Sequence, residues 1–212
     1  MSKRQLTQHS VQRFYDSLAT HYDWFSLYEA RSKRLAVECL ELASGHSIIN
    51  VGLGTGKYYQ EVQTLLGDQG LVAGVDISFS MLKVSQSRKI VALAQADGAW
   101  LPFAAASFDR LLCTYVLDLV ALADLPRWLE EFRRVLRPGG RMVLVSLTEG
   151  VNLFSNGIIA AWKLAYRLSP IACGGCRPLQ LAGLVRQAGF EWLERQVVLQ
   201  LGVPSELLVA GC

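Results

Sequence analysis

Asn50-Val51-Gly52-Leu53-Gly54-Thr55-Gly56 is the stretch on which the reading of this chain turns. A short apolar run, Ser47-Ile48-Ile49, leads into it, and Lys57 to Leu66 behind it reads as a helix. Strand, glycine turn and helix in that order make the first half of a nucleotide-binding βαβ unit. Glycine lets the backbone turn tightly and pass close to a ligand where a Cβ would collide. The turn also brings the free N–H groups at the start of the next helix toward the ligand. Gly52, Gly54 and Gly56 are therefore the first candidate ligand-binding positions.

Spacing separates two ligand classes. A dinucleotide site uses G-x-G-x-x-G and would need glycine at position 57, which is Lys57. The pattern here is G-x-G-x-G, which resembles motif I of the class I methyltransferases that bind S-adenosylmethionine (SAM). That family usually has an acid two residues before the first glycine, where this chain has Asn50. Asparagine still accepts through its carbonyl oxygen but offers no charge to the cofactor's ammonium group.

Working outward on the C-terminal side, Leu71 to Asp76 is a second strand ending in an acid, twenty residues beyond Gly56. A carboxylate there accepts hydrogen bonds from both hydroxyls of a ribose. Ser78 reads as an N-cap and Met81 to Lys89 as the following helix, with Ile77 and Met81 placed to sandwich an adenine, or in the case of Met81 to pack the core. Val91 to Asp97 is a third strand, again closed by an acid. Asp97-Gly98 followed by Leu101-Pro102-Phe103 resembles the family's "D-A-x-x-LPF" segment; the resemblance implies that Asp97 accepts from the adenine amino group and Gly98 offers its N–H. Trp100 either walls the same pocket or folds onto the core.

Ser107-Phe108-Asp109 opens a fourth strand, Arg110 to Thr114, and Tyr115 to Val120 is the change from strand to helix. Ligands bind at such carboxyl ends in doubly wound folds, which makes Thr114 and Tyr115 further binding candidates. Leu125, Trp128, Leu129, Phe132 and Leu136 trace a helical stripe, with a charged, solvated face opposite. Arg137-Pro138-Gly139-Gly140 stops that helix before a fifth strand, Arg141 to Ser146, and "R-x-LRPGG-R" is another of the family's segments. Leu179 to Ala188 reads as a helix, and Phe190–Leu199 with Glu206–Ala210 as a closing hairpin.

Before the glycine turn, residues 8–44 read as helical. Phe14, Leu18 and Tyr22 share one face, and Tyr28, Leu35 and Cys39 another. Tyr15-Asp16-Ser17-Leu18-Ala19-Thr20-His21-Tyr22-Asp23 resembles the "YDxxAxxYD" segment of ubiquinone/menaquinone-type and phospholipid-type methyltransferases. The resemblance makes this region a lid, with Tyr22 near the methionine end of the cofactor; the rival reading is ordinary helix–sheet packing.

Val151 to Leu168 is an inserted helix with a wide apolar stripe that includes Phe154, Ile158, Trp162 and Tyr166, flanked by Lys163 and Arg167. Three readings stay open: packing over the sheet, a wall of an apolar substrate pocket, and an interfacial membrane helix. Cys173-Gly174-Gly175-Cys176 invites a metal or redox reading, but one pair supplies two ligands and nothing completes it, so no metal is expected.

Composition bounds the rest. The chain has 212 residues, 51% hydrophobic and 18% charged, with a net charge of +3 and five cysteines. That suits one domain spanning 1–212, with residues 1–44 as a helical lid and 150–178 as an inserted cap. There is no basic run for nucleic acid and no signal peptide, and the odd cysteine count favours a reducing cytoplasm. The resemblance implies a Rossmann-like α/β fold: a seven-stranded, mostly parallel sheet with an antiparallel C-terminal hairpin and helices on both faces.

It further implies methyl transfer from SAM, with S-adenosylhomocysteine as product, to a small, largely apolar acceptor that is quinol-, phenol- or lipid-like. Alignment does most of the work in such a reaction, so no catalytic triad is required. If the acceptor must lose a proton, Asp118 and His21 are candidate bases. Arg177 is a candidate to meet an acceptor oxygen. Two alternatives differ in class: a thiol or arsenic methyltransferase using Cys113, Cys173 and Cys176, and a non-catalytic SAM-binding partner subunit. Peripheral membrane contact, and the choice between monomer and homodimer, stay open.

Overall fold

The computed structural model describes residues 7–25, 29–90 and 92–212. Tyr28, expected on a helix face, and Val91, expected to open the third strand, lie outside the described residues. Helices α1 (Gln8–Leu18), α2 (Tyr22–Phe25) and α3 (Ala30–Cys39) precede the sheet. Then come β1 (Ser47–Val51), α4 (Tyr59–Leu66), β2 (Leu71–Asp76), α5 (Phe79–Ser87), β3 (Ala92–Gln95), β4 (Phe108–Thr114), α6 (Leu125–Val135) and β5 (Leu136–Leu147). The chain closes with α7 (Leu153–Leu168), a 3-10 turn (Pro170–Cys173), α8 (Ala182–Gln187), β6 (Trp192–Gln200) and β7 (Val203–Gly211).

The seven strands form one sheet in the order β3-β2-β1-β4-β5-β7-β6. The first five are parallel, β7 runs antiparallel to β5, and β6 antiparallel to β7. Strand order reverses between β1 and β4, so the crevice outside their carboxyl ends is the switch point where ligands bind in such sheets. The glycine turn follows β1 directly and stands in that crevice.

Side-chain alternation along the strands sorts the apolar residues onto two faces. Ile49, Val51, Leu111 and Leu144 join Leu129, Phe132 and Val185 on one side. Ile48, Leu112, Val143 and Leu207 pack under Ala36, Val37, Val62 and Leu66 on the other. A third, smaller cluster of Leu147, Ile159 and Cys176, with Trp162, Leu119 and Val203 against it, seats α7 beyond the β5 end.

Where boundaries differ from the sequence reading, a hydrogen bond explains the difference. Helix α5 starts at Phe79 because the Ser78 hydroxyl caps the Met81 amide at 3.1 Å. Strand β5 begins at Leu136, through the segment read as a stop, because Leu136 pairs with Phe108 and Gly139 and Gly140 exchange backbone bonds with Cys212. Helix α8 starts late because the Leu179 amide is taken by the Leu147 carbonyl and the Leu181 amide by the Glu206 carboxylate.

The N-terminal helices are attached to the body by the two Tyr-Asp pairs. Tyr15 donates to the Gly174 carbonyl at 3.1 Å and Tyr22 to Glu29 at 3.3 Å. Asp16 accepts from the Ser78 hydroxyl and the Ser80 amide, and Asp23 from Thr55 and Arg88. The first helix buries no residue fully, so these polar contacts carry much of its attachment.

Candidate active site

Gly52 takes φ +74° and its N–H donates to the Val75 carbonyl at 2.7 Å, which ties the turn to β2. A Cβ there would stand 2.1 Å from Val116 Cγ2, so both backbone angle and close approach require glycine. Gly54, at φ +60°, differs: a Cβ would meet nothing nearer than Tyr22 Cε1 at 3.9 Å. Its open side faces the cavity beside Tyr22. The Gly54 N–H donates to Asp76 Oδ2 and the Ser78 N–H to Asp76 Oδ1, both at 2.8 Å. The Asp76 carboxylate thus organises the turn while keeping lone pairs free for ribose hydroxyls. Desolvation pushes its carboxyl up to about 6, against the pull of those backbone bonds.

These groups line one cavity of about 430 Å3. Its wall brings together Tyr22, Asn50, Gly52, Gly54, Gly56, Asp76, Ile77, Met81, Asp97, Gly98, Thr114 and Tyr115, the positions expected from the sequence to hold the cofactor. Gly98 lies under the Trp128 ring, where a Cβ would come within 2.2 Å of the ring. Asp97 accepts from Gln8 of the lid at 2.7 Å. Trp100 is on the wall, exposed, with the Arg127 guanidinium over its ring.

Asn50 Oδ1 is buried and has no hydrogen-bond partner. An orphaned buried acceptor beside the glycine turn is costly unless a donor arrives, and the SAM ammonium is a donor of the right kind. With Asp76 for the ribose and the open side of Gly54 between them, the residues present fit that cofactor. Asn50→Asp is expected to leave SAM affinity unchanged or tighten it. Without ligand it should lower stability by about 1–3 kcal/mol, since a carboxylate in that place is buried unpaired. Calorimetry and melting curves with and without S-adenosylhomocysteine check both parts. A large loss of affinity would mean that Asn50 donates a bond a carboxylate cannot make.

At the end beside the N-terminal helices the wall is Tyr15, Tyr22, Lys33, Tyr115 and Leu119. Burial holds the Tyr15 and Tyr22 phenols well above their ordinary pKa, hence neutral. Tyr115 has φ +56° and its hydroxyl pairs with Ser205 Oγ at 2.6 Å. Lys33 was not singled out in the sequence. Its ammonium lies 2.6 Å from the buried Glu29 carboxylate and 5.3 and 5.7 Å from the Tyr22 and Tyr115 ring centres. A lysine between Ser32 and Arg34 on a short helix reads as a solvated charge, and no spacing signal marks it out.

The three candidate catalytic residues are not on this wall among the described residues. Asp118 is fully buried, its Oδ2 accepting from the Leu147 amide at 3.1 Å and its Oδ1 without a partner. Burial pushes its carboxyl up to about 7. Arg177 bonds through its guanidinium to the Val120 carbonyl and through its amide to the Asp118 carbonyl, clamping residues 118–120 to the Cys173–Cys176 loop. His21 is exposed and pairs with the neighbouring Thr20 hydroxyl.

Helix α7, expected as a pocket wall, contributes no residue to the cavity either. It packs beside the cavity through Leu119, and Trp162 Nε1 donates to the Cys176 carbonyl. Cys113, Cys173 and Cys176 are buried off the wall, and burial raises all three thiols, which disfavours a soft-ligand site. No cluster of three or more metal-ligating side chains occurs among the described residues.

Residues 49–144 match the family model described as a methyltransferase domain. The chain is 33% identical over 152 residues to a demethylmenaquinone methyltransferase of Desulfitobacterium hafniense (strain Y51), covering 66% of this chain and 59% of that one. To a 2-phytyl-1,4-naphtoquinone methyltransferase of Thermosynechococcus vestitus it is 28% identical over 207 residues, or 86% of this chain and 91% of the other. The chain spans only 50–59% of the length of several curated relatives it matches. Among solved structures, a SAM-dependent methyltransferase of Thermotoga maritima superposes with a TM-score of 0.72 at 22% identity, covering 94% of this chain and 98% of that one. At that identity the likeness speaks for the fold.

Proposed function

We infer that the chain is a class I SAM-dependent methyltransferase of the ubiquinone/menaquinone-biosynthesis-like group and, on that premise, that it methylates a hydroxylated ring of quinol type carrying an apolar tail. The observation that carries this reading is the make-up of the cavity at its lid end. Rings and aliphatic side chains there surround the Lys33 ammonium, which is paired with the buried Glu29 carboxylate at 2.6 Å. The likeness to quinone-methylating relatives supports the same acceptor class.

SAM supplies a methyl group on a positively charged sulfur. Asn50, Gly54, Asp76 and Asp97 are the residues that would hold it. The remaining task of the protein is to present a nucleophile in line and exclude water, and alignment of this kind is worth on the order of 7–11 kcal/mol in favourable cases. Lys33, held by Glu29, would favour ionisation of a ring hydroxyl, whose proton goes to solvent, and the phenolate so formed is the stronger nucleophile at ring carbon; as that carbon takes the methyl group, S-adenosylhomocysteine leaves and the ring proton is lost to solvent. Tyr15 and Tyr22 offer faces for a flat acceptor and, as lid residues, close over it.

The test is transfer of an isotope-labelled methyl group to a panel made up of a short-tailed demethylated naphthoquinol, a simple phenol, phosphoethanolamine and a small thiol. Label is expected in the quinol. Label in phosphoethanolamine or the thiol, or in none of the four, would overturn the assignment. The double variant Lys33→Met/Glu29→Gln, which leaves no orphaned buried carboxylate, is expected to lower turnover roughly 100-fold while S-adenosylhomocysteine affinity changes by less than about threefold. Equal turnover in variant and parent would remove Lys33 from the acceptor site.

A further inference from the structure

We propose that the outward face of α7 and the tip of the β6–β7 hairpin together form a docking surface for an anionic lipid bilayer. Helix α7 buries only Ser155 and Ile159 against the body of the protein. On the opposite side Leu153 is 92% exposed, Phe154 70%, Leu164 59% and Leu168 78%. Three or four large apolar side chains in one stripe, with glycine and alanine between them, are more than the scattered exposure ordinary surfaces carry.

The hairpin extends this surface. Phe154 and Ile158 lie against Gly202, so closely that a Cβ there would be 2.4 Å from each. The preceding residue, Leu201, is 78% exposed. Leu201 and Gly202 have φ +53° and +80°, the two positive angles of a type I′ hairpin turn, whose first position favours asparagine, aspartate or glycine. Leucine there is strained and, facing solvent, returns nothing to the fold. Strain of this kind, kept where the side chain makes no internal contact, points outward to a partner.

Charge selects the partner. Helix α7 carries no carboxylate; its charged residues are Lys163 and Arg167. Lys163 pairs with the nearby Glu149 at 2.7 Å, so the two charges cancel. The exposed Arg167 is then the cation of the helix, and Arg31 adds a second at the hairpin, where its amide binds Gln200 Oε1 and its guanidinium the Leu199 carbonyl. An apolar stripe rimmed by cations matches acyl chains beneath anionic headgroups. No helix among the described residues is long and apolar enough to cross a membrane, so α7 would lie in the interface plane.

The helix that carries the docked face stands, by its inner side, next to the cavity. Trp162 and Ile159, on the inner side of α7, share a cluster with Leu119 of the cavity wall, and the Cys176 loop that Trp162 binds is held in turn by Tyr15. Delivery of a lipid-borne acceptor from the bilayer rests on the function proposed above; bilayer docking itself does not.

The experiment is co-sedimentation of the full chain with vesicles of phosphatidylcholine alone and of phosphatidylcholine mixed with phosphatidylglycerol, without SAM or acceptor, so that its outcome is independent of catalysis. Binding to the mixed vesicles is expected, weaker to the neutral ones. The triple variant Leu153→Gln/Leu164→Gln/Leu168→Gln should lower the partition constant roughly tenfold or more. Leu201→Asn should also lower it while its melting temperature stays level or rises, because asparagine suits the turn; a merely structural role for Leu201 predicts the reverse. The proposal is overturned if the parent chain binds neither vesicle or if the variants bind as the parent does. It is also overturned if the parent forms a dimer that the same substitutions dissolve without any vesicle binding, in which case the face belongs to a second copy.

Discussion

Asp76→Ala is expected to weaken S-adenosylhomocysteine binding by roughly 1–3 kcal/mol, the scale of lost hydrogen bonds to a charged group. It should also destabilise the ligand-free protein. Asp76 accepts from the Gly54 and Ser78 amides, one on each oxygen, and alanine leaves both donors without their acceptor. A buried N–H left unmade costs about 1–3 kcal/mol, part of it offset by removing a carboxylate that desolvation already pushes up to about 6. Asp76→Asn keeps one acceptor oxygen and should fall between parent and alanine in both measurements. Isothermal calorimetry with S-adenosylhomocysteine and with NADH side by side reads the first effect, and urea denaturation the second. Affinity unchanged in the alanine variant would mean that the ribose is held elsewhere, and tighter binding of NADH would overturn the cofactor assignment.

The second large effect concerns Asp118 and pH. Burial first, then the Glu29 carboxylate, raise its carboxyl to about 7, while the Leu147 amide and Arg177 pull it down. In the unfolded chain the group titrates near 4, as a model carboxyl does. Between those values the folded state holds the proton and the unfolded state does not. The contribution to stability is therefore fully present below about pH 4 and is lost as pH rises through about 7. Asp76 acts in the same direction over a lower window. Asp109, held down to about 2 by the Ser47 amide and Arg137 against the cost of burial, acts in the opposite one and is lost only in acid.

Replacing Asp118 with Asn removes the ionisation and keeps an oxygen for the Leu147 amide. The parent should lose about 2–4 kcal/mol more than Asp118→Asn between about pH 5 and about pH 8. Urea denaturation across that range measures the difference. Parallel pH profiles for the two proteins would show that Asp118 is not a buried, proton-holding group.

That the glycine turn, Asp76 and Asp97 meet at one cavity was legible because their placement is written in the backbone. The glycines of the turn, the acid at the end of β2 and the Ser78 cap each act through local geometry, and local geometry follows from residue type at fixed spacing. The sheet was legible for the same reason: alternating and continuous apolar runs separate buried from exposed faces along one element at a time. The Tyr15-Asp16 and Tyr22-Asp23 pairs were visible as a pattern, but their partners at Gly174, Ser78, Glu29 and Arg88 are distant along the chain and had no signal of their own.

Three features were decided only by tertiary structure. Lys33 looks like any exposed helix lysine, and only the packing of α3 against the β4–β7 side of the sheet sets its ammonium between Glu29 and two tyrosine rings. Asp118 sits at the end of the sheet where ligands bind, yet its side chain turns inward to the Leu147 amide, and chain position does not specify the direction of a side chain past a strand's end. The apolar stripe of α7 is so wide that period alone could not separate its seated side from its outward one. Periodicity shows which residues of an element share a face, whereas the burial of that face depends on what the rest of the chain brings against it. Here the body of the protein covers Ser155 and Ile159 and leaves Leu153, Phe154, Leu164 and Leu168 exposed.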